Sequence, residues 1–169
     1  MVYLGQGGPS DHELAARIYA DGVVAGDSYS MNNLGEMTRQ GEGVPQDMER
    51  ARALYQMAAD AGHSDGMSNL GVMYQRGLGG PQDIDRALEL YLRSGTLGNR
   101  LALHNAAMLI LEDQVKFADQ QLAGLGLCLW VIEHTSDPQR RAFQDGCEPH
   151  FPRFTEADVA RARALMDSL

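Results

Sequence analysis

The chain has 169 residues, 44% of them hydrophobic, and a formal net charge of −9 from 14 Lys and Arg against 23 Asp and Glu. That length allows one compact domain with a sizeable core, while the charge balance argues against nucleic acid and disfavours anionic membranes, because neither is gripped without a basic face. No run of about 18 apolar residues spans a bilayer and residues 1–11 lack the charged start and apolar core of a secretory leader, so a soluble, cytoplasmic protein is expected, or a periplasmic or secreted one had a leader been removed.

In chain order, the first candidate helix lies in a half-copy over 11–26, where Ala15, Tyr19 and Gly26 anticipate Ala51, Tyr55 and Gly62. The step between these sets is 36 residues, and it is plainest in the next two segments, where Leu34-Gly35 returns as Leu70-Gly71. Laying 28–62 over 64–98 also brings Gly41/Gly77, Gly43/Gly79, Pro45/Pro81, Gln46/Gln82 and Asp47/Asp83 into register. Arg50, Ala51, Leu54 and Tyr55 likewise fall on Arg86, Ala87, Leu90 and Tyr91. A period of this length is the signature of a helical array whose units stack on one another.

Each full copy reads as two helices, the first over 30–40 and 65–76, the second over Met48–Asp60 and 84–94. The run Gly41-Glu42-Gly43-Val44-Pro45-Gln46-Asp47 separates them, since its glycines favour left-handed backbone and Pro45 has no N–H to donate. Asp47 and Asp83 then stand where N-caps belong, and Gly62 and Gly98 where the second helices close. Leu70, Met73 and Tyr74 share one helical face, as do Ala87, Leu90 and Tyr91, so both helices of a copy turn an apolar stripe inward. A glycine inside a helix costs about 0.5–1 kcal/mol relative to alanine, so the recurrence of Gly35 and Gly71 predicts a neighbouring tyrosine or backbone that needs the empty space.

A degraded copy follows over 99–134, in which Asn105 continues the series Asn33 and Asn69 and Ala107 replaces the glycine of Leu-Gly. Two readings of the Asn series are open: a hydrogen bond between neighbouring helices, favoured by its fixed repeat position, and contact with a ligand. Cys128 lies in the apolar run 125–132 and reads as a small buried hydrophobe. Residues 135–154, with Pro149 and Pro152 and the aromatics Phe143, Phe151 and Phe154, show no helical period and are expected to be an irregular segment that wraps the last helix pair or meets a partner. The final element, 155–168, is a helix capped by Thr155, with Asp158 at the capping-box position and an apolar stripe of Val159, Ala162, Leu165 and Met166. It is expected to seal the array, the alternative being a helix that docks into another copy.

Chemistry-bearing constellations are few. There is no Gly-x-Ser-x-Gly, and the glycines near 41 and 77 lie between two helices rather than between a strand and a helix, so they form no phosphate loop. Asp47/Glu49 and Asp83/Asp85 fall in first turns, where negative charge complements the helix dipole. Cys147 and His150 have a spacing found at zinc sites, with His134 as a third candidate, but zinc needs three or four ligands and loop residues are the preferred reading. A bridge between Cys128 and Cys147 is allowed without being supported by the sequence. No cofactor or metal is therefore expected, and a metal-binding regulator or small enzyme built on Cys147, His150 and His134 is kept only as the alternative function.

Taken together, Gly62, Leu70-Gly71, Tyr74, Gly77, Gly79, Asp83, Ala87 and Tyr91 resemble the Sel-1-like repeat, a relative of the tetratricopeptide repeat. Two close copies, 29–62 and 65–98, a half-copy before them and a degraded one after them carry the resemblance over roughly three-quarters of the chain. It implies an all-α fold, a right-handed superhelix of antiparallel helix pairs in a single domain with a C-terminal capping helix. It also implies a non-enzymatic adaptor or regulator, bacterial in style, and a protein or peptide partner held on the concave face. Many members of the family pair cysteines within each repeat, which this chain's repeats do not. In such arrays the first helices line the concave side; the corresponding positions are Asn32, Glu36 and Arg39, then Ser68, Val72 and Gln75, then His104, Met108 and Leu111. The set lacks the clustered Lys, Arg and Asn that grip a peptide carboxylate in chaperone adaptors, and it suits an amphipathic helix or extended peptide. His104 reads first as a surface residue on its helix and second as part of the groove. Monomer or weak homodimer is the expected state.

Overall fold

The computed structural model describes residues 9–112, 120–136 and 139–167, and among them every regular element is helical. In order these are α1 (Pro9–Val24), α2 (Ser28–Gln40), α3 (Met48–Asp60), α4 (Ser64–Arg76), α5 (Ile84–Thr96), α6 (Arg100–Leu111), α7 (Gln120–His134), α8 (Gln139–Cys147), a 3-10 turn (Glu148–Arg153) and α9 (Glu156–Asp167). Consecutive helices pack in pairs, which short connections force to run antiparallel. The chain forms two compact units, Met1–Leu90 and Tyr91–Leu169, divided within α5.

The helix ends follow the expected punctuation. Asp47 accepts the Arg50 N–H at 2.9 Å and Asp83 the Arg86 N–H at 2.9 Å, so each second helix begins on a carboxylate cap. The first helices are capped less uniformly, by Asp27 through the Ser30 N–H, by His63 Nδ1 through the Gly66 N–H, and by Asn99 through the Ala102 N–H. Their C-terminal carbonyls are held by the repeated glutamines, Gln46 donating to the Arg39 carbonyl at 2.9 Å and Gln82 to the Gln75 carbonyl at 2.7 Å.

In the first unit, Ala15, Ala16, Leu34, Met37 and Leu54 form one buried cluster, and Ala51, Tyr55, Ala59, Met67, Leu70, Met73 and Leu90 form the next. The glycine of Leu-Gly does what its recurrence predicts: a Cβ on Gly35 would lie 2.9 Å from Cε1 of Tyr55. Gly43 and Gly79 are fixed by a contact between copies. A Cβ on Gly43 would stand 2.3 Å from the His12 carbonyl in α1, and one on Gly79 2.2 Å from the Met48 carbonyl in α3, while both residues have left-handed backbone. His12 and Met48 are themselves one period apart, so each copy's turn rests on the first turn of the preceding second helix, where only glycine fits.

In the second unit, α7 crosses α6 at Gly124, where a Cβ would meet Ile110 Cγ2 at 2.9 Å, and it packs on its other sides against α8 and α9. Leu125, Cys128 and Val131 of α7 are fully buried with Ala106, Leu109 and Leu111 of α6 and Ala162 of α9. Thr155 and Asp158 form the expected capping box, the Thr155 N–H donating to Asp158 at 2.9 Å and the Asp158 N–H to the Thr155 hydroxyl at 3.2 Å. Ser168 and the side chains of Leu165 and Met166 lie outside the described residues.

Residues 135–154 are not irregular as their sequence implies. They contain α8 and the 3-10 turn. The helix hides its period because only Phe143 and Cys147, four residues apart on one face, are buried in it, and one apolar pair is too few to register as a pattern. Pro149 then ends it.

Candidate functional site

The side chains expected to line a binding groove come from the first helices of each copy. In the first unit these are α2 and α4, which lie side by side, and a pocket of about 310 Å³ opens between them. Glu36 and Arg39 from α2, Asn69, Val72, Met73 and Arg76 from α4, Tyr55 from α3 and Leu78 from the following turn line it. Such a volume sits at the small end of ligand pockets, about 300–1,000 Å³, room for one or two side chains.

Its polar wall is organised around Glu36. Arg39 meets that carboxylate with both Nε, at 3.0 Å, and Nη2, at 2.5 Å, the Tyr55 hydroxyl donates to it at 2.6 Å, and Gln40 donates to it as well. The Arg39 hydrogen bonds and the Tyr55 hydroxyl hold the Glu36 carboxyl below its ordinary range against the opposing effect of burial. Burial, followed by the hydrogen bond to Glu36 and then its charge, pushes the Tyr55 phenol far upward, so it stays protonated and keeps donating. Four donors fill the four lone-pair sites of the carboxylate, and its charge is matched by Arg39.

The remaining positions in the first unit are less open. Asn32 is partly buried and accepts a hydrogen bond from Asn69 Nδ2 at 3.0 Å; Ser68 is buried; Gln75 is partly buried. The bond between helices expected of the Asn series is thus made by Asn69, to the residue before Asn33. Asn33 turns back to the Tyr29 carbonyl of its own helix at 2.7 Å.

In the second unit the corresponding positions on α6 are covered. The ring of Phe143 in α8 lies tilted against that of His104, 4.9 Å between centroids, and Cys147 Sγ lies 3.8 Å from His104 Nδ1. A Cβ on Gly146 would stand 2.8 Å from His104 Cε1 and 3.9 Å from Met108 Sδ, so the absent side chain lets α8 close on this face. Leu111 has no exposed surface. Burial lowers the His104 imidazole pKa below its ordinary value. His104 is therefore a packing residue beneath α8 rather than an open surface side chain.

Cys147 does not serve as a metal ligand. It is joined to Cys128 by a disulfide that ties the end of α8 to α7, and both residues are fully buried. His134, the third candidate, stacks on Trp130 at 4.5 Å and its Nδ1 lies 2.9 Å from the Trp130 carbonyl. Among the described residues no three His, Cys, Asp or Glu side chains gather as a metal site.

Arg76 and the ring of Tyr55 were not among the positions singled out from the repeat. Tyr55 reads as core because it recurs as Tyr91, yet its ring lies against Gly35 and its hydroxyl reaches Glu36 in the pocket. Arg76 carried a usable signal, since the preceding copy has Gln40 at that position: a charge that does not repeat on a helix that does.

Helix pairs stacked by a turn-on-helix contact, with a lined pocket between successive first helices, define a helical-repeat protein of the tetratricopeptide-like class. The Sel1 repeat family model matches residues 1–20, 28–63 and 64–99, and the chain belongs to that family. Its fold is similar to that of a Sel1 repeat protein from Oxalobacter formigenes, with a TM-score of 0.63 at 18% identity over 76% of this chain and 59% of that one. It is also similar to a protective antigen of uropathogenic Escherichia coli strains that displays an SLR fold, with a TM-score of 0.62 at 21% identity over 89% of this chain and 36% of that one. The chain thus spans less than two thirds of either solved relative. No curated protein matches it. Sel1 repeat proteins are in general helical-repeat proteins of protein–protein interaction, and no described helix here is long and apolar enough to cross a membrane.

Proposed function

We propose that this protein is a non-enzymatic adaptor or regulator that holds a protein or peptide segment on the first-helix face of α2 and α4. The observation that carries the reading is the pocket itself: it lies between the inner helices of successive copies, and Glu36 and Val72, one period apart, put different chemistry at the same repeat position. Residues that repeat hold the array together, whereas residues that differ at equivalent lining positions can tell one partner from another. The binding positions are then Asn32, Glu36, Arg39, Ser68, Val72 and Gln75, with Tyr55, Asn69 and Arg76 added. His104 and Met108 lie under α8 instead, and Leu111 packs against α7 at Gly124.

The buried disulfide supports an oxidising place of action, periplasmic or secreted, over the cytoplasmic one expected from the amino terminus. A photo-cross-linking residue placed at Val72 tests the binding face against one placed at Ala53, which is exposed on the second helix α3. Partner adducts are expected from position 72 and not from 53; the reverse pattern contradicts the reading.

A further inference from the structure

We infer that the pocket between α2 and α4 takes an acidic side chain, Asp or Glu, from a partner segment whose flanking residues are apolar. This rests on the reading that the first-helix face is the binding face, and adds the chemistry of what it binds. Two cations line the pocket, Arg39 and Arg76, against one anion, Glu36. Glu36 is spent: Arg39, Tyr55 and Gln40 occupy its acceptor sites, its charge is matched by Arg39, and it has nothing left for a partner's Lys or Arg. Arg76 is exposed at the end of α4 and makes no ion pair or side-chain hydrogen bond with another described residue. The pocket therefore presents one unmatched guanidinium beside a second one whose plane is already fixed by Glu36.

An arginine fork suits a carboxylate better than any neutral side chain, and Arg76 brings a positive charge that Glu36 has not matched. Beside it Val72, Met73 and Leu78 supply an apolar wall, and the volume admits one or two side chains rather than a cofactor. Net charge narrows the partner further. At −9 overall, the protein repels an acid-rich chain at long range, so the fitting segment carries a single acid among apolar residues rather than an acidic tract.

The probe is a pair of capped tetrapeptides, acetyl-Leu-Glu-Leu-Ala-amide and its counterpart with Gln in place of Glu, titrated into the full-length 15N-labelled protein. The acidic peptide is expected to bind about fivefold more tightly or better, shifting the Val72 amide and the Arg76 Nε–H, and Arg76→Gln should cut that preference below about twofold. Gln stands at this position in the preceding copy, so the variant keeps a side chain the repeat already accommodates. Equal affinity of the two peptides at Val72 overturns the acidic specificity while leaving the binding face standing. A preference that survives Arg76→Gln, or no shift with either peptide up to about 10 mM, also overturns it; the cross-linking comparison of positions 72 and 53 judges the face separately.

Discussion

The Tyr55 hydroxyl donates to Glu36 Oε2 at 2.6 Å, from a ring that lies against α2 because Gly35 has no side chain. One residue pair thus joins scaffold to site: the buried ring belongs to the core of the first unit, and its hydroxyl fixes the carboxylate that orients Arg39. Tyr55→Phe keeps the ring and removes the bond. Because Glu36 is partly exposed and water replaces the lost donor, stability should fall by only about 1 kcal/mol in urea unfolding. The Glu36 carboxyl should titrate higher, toward its ordinary range, in a carbon-detected NMR titration. An unchanged Glu36 titration would show that the bond does not form.

Gly66 of α4 faces Ala58 of α3 so closely that a Cβ would lie 2.6 Å from the Ala58 Cβ. One period earlier the same contact is made the other way round, with Gly22 on α1 against Ser30 on α2. At this contact each of these two pairs carries one glycine, on opposite helices. Gly66→Ala should destabilise by about 1–3 kcal/mol through overpacking, and adding Ala58→Gly should recover much of that loss. Additive losses in the double variant would refute the exchange.

The Cys128–Cys147 bridge closes a loop of 19 residues and holds α8 over His104. Non-reducing peptide mapping should recover the two cysteines linked. Replacing both by Ser should lower the stability of the second unit by about 3 kcal/mol, the chain-entropy value for a loop of this length. Recovery of both as free thiols from protein prepared under oxidising conditions would contradict the bridge and the compartment it supports.

His104 gives this unit a pH dependence of defined sign. Burial lowers its folded-state pKa, so below the ordinary value the unfolded chain accepts a proton that the folded state resists. The stability it contributes is present above about pH 6.5 and is lost as the pH falls through the depressed value. The thermal midpoint should drop between about pH 7.5 and 5.5, and His104→Leu should flatten that slope. A slope unaffected by the replacement would assign the dependence to other groups.

Much of the scaffold was legible in the sequence because its causes are periodic. Gly43 and Gly79 recur since each touches the backbone one copy earlier, Asp47 and Asp83 recur since each caps a second helix, and Gly35 stands where the Tyr55 ring needs room. What escaped was what happens once. The helix Gln139–Cys147 rests on Phe143, Cys147 and one disulfide, and a single anchored turn has no period to detect. The pocket was half visible, since its positions follow from the repeat. That Glu36 is saturated by Arg39, Gln40 and Tyr55, and that Arg76 is left unmatched, depends on side-chain directions that no spacing encodes.

The most direct measurement is the affinity of a purified cross-linked partner, or its contacting segment, for the unmodified protein and for Val72→Trp. Val72 lines the pocket and is only partly buried, so the variant should keep the fold while filling the space the partner needs. A loss of at least about tenfold, roughly 1.4 kcal/mol, is the predicted result. Unchanged affinity in a folded Val72→Trp protein would contradict binding on the face of α2 and α4.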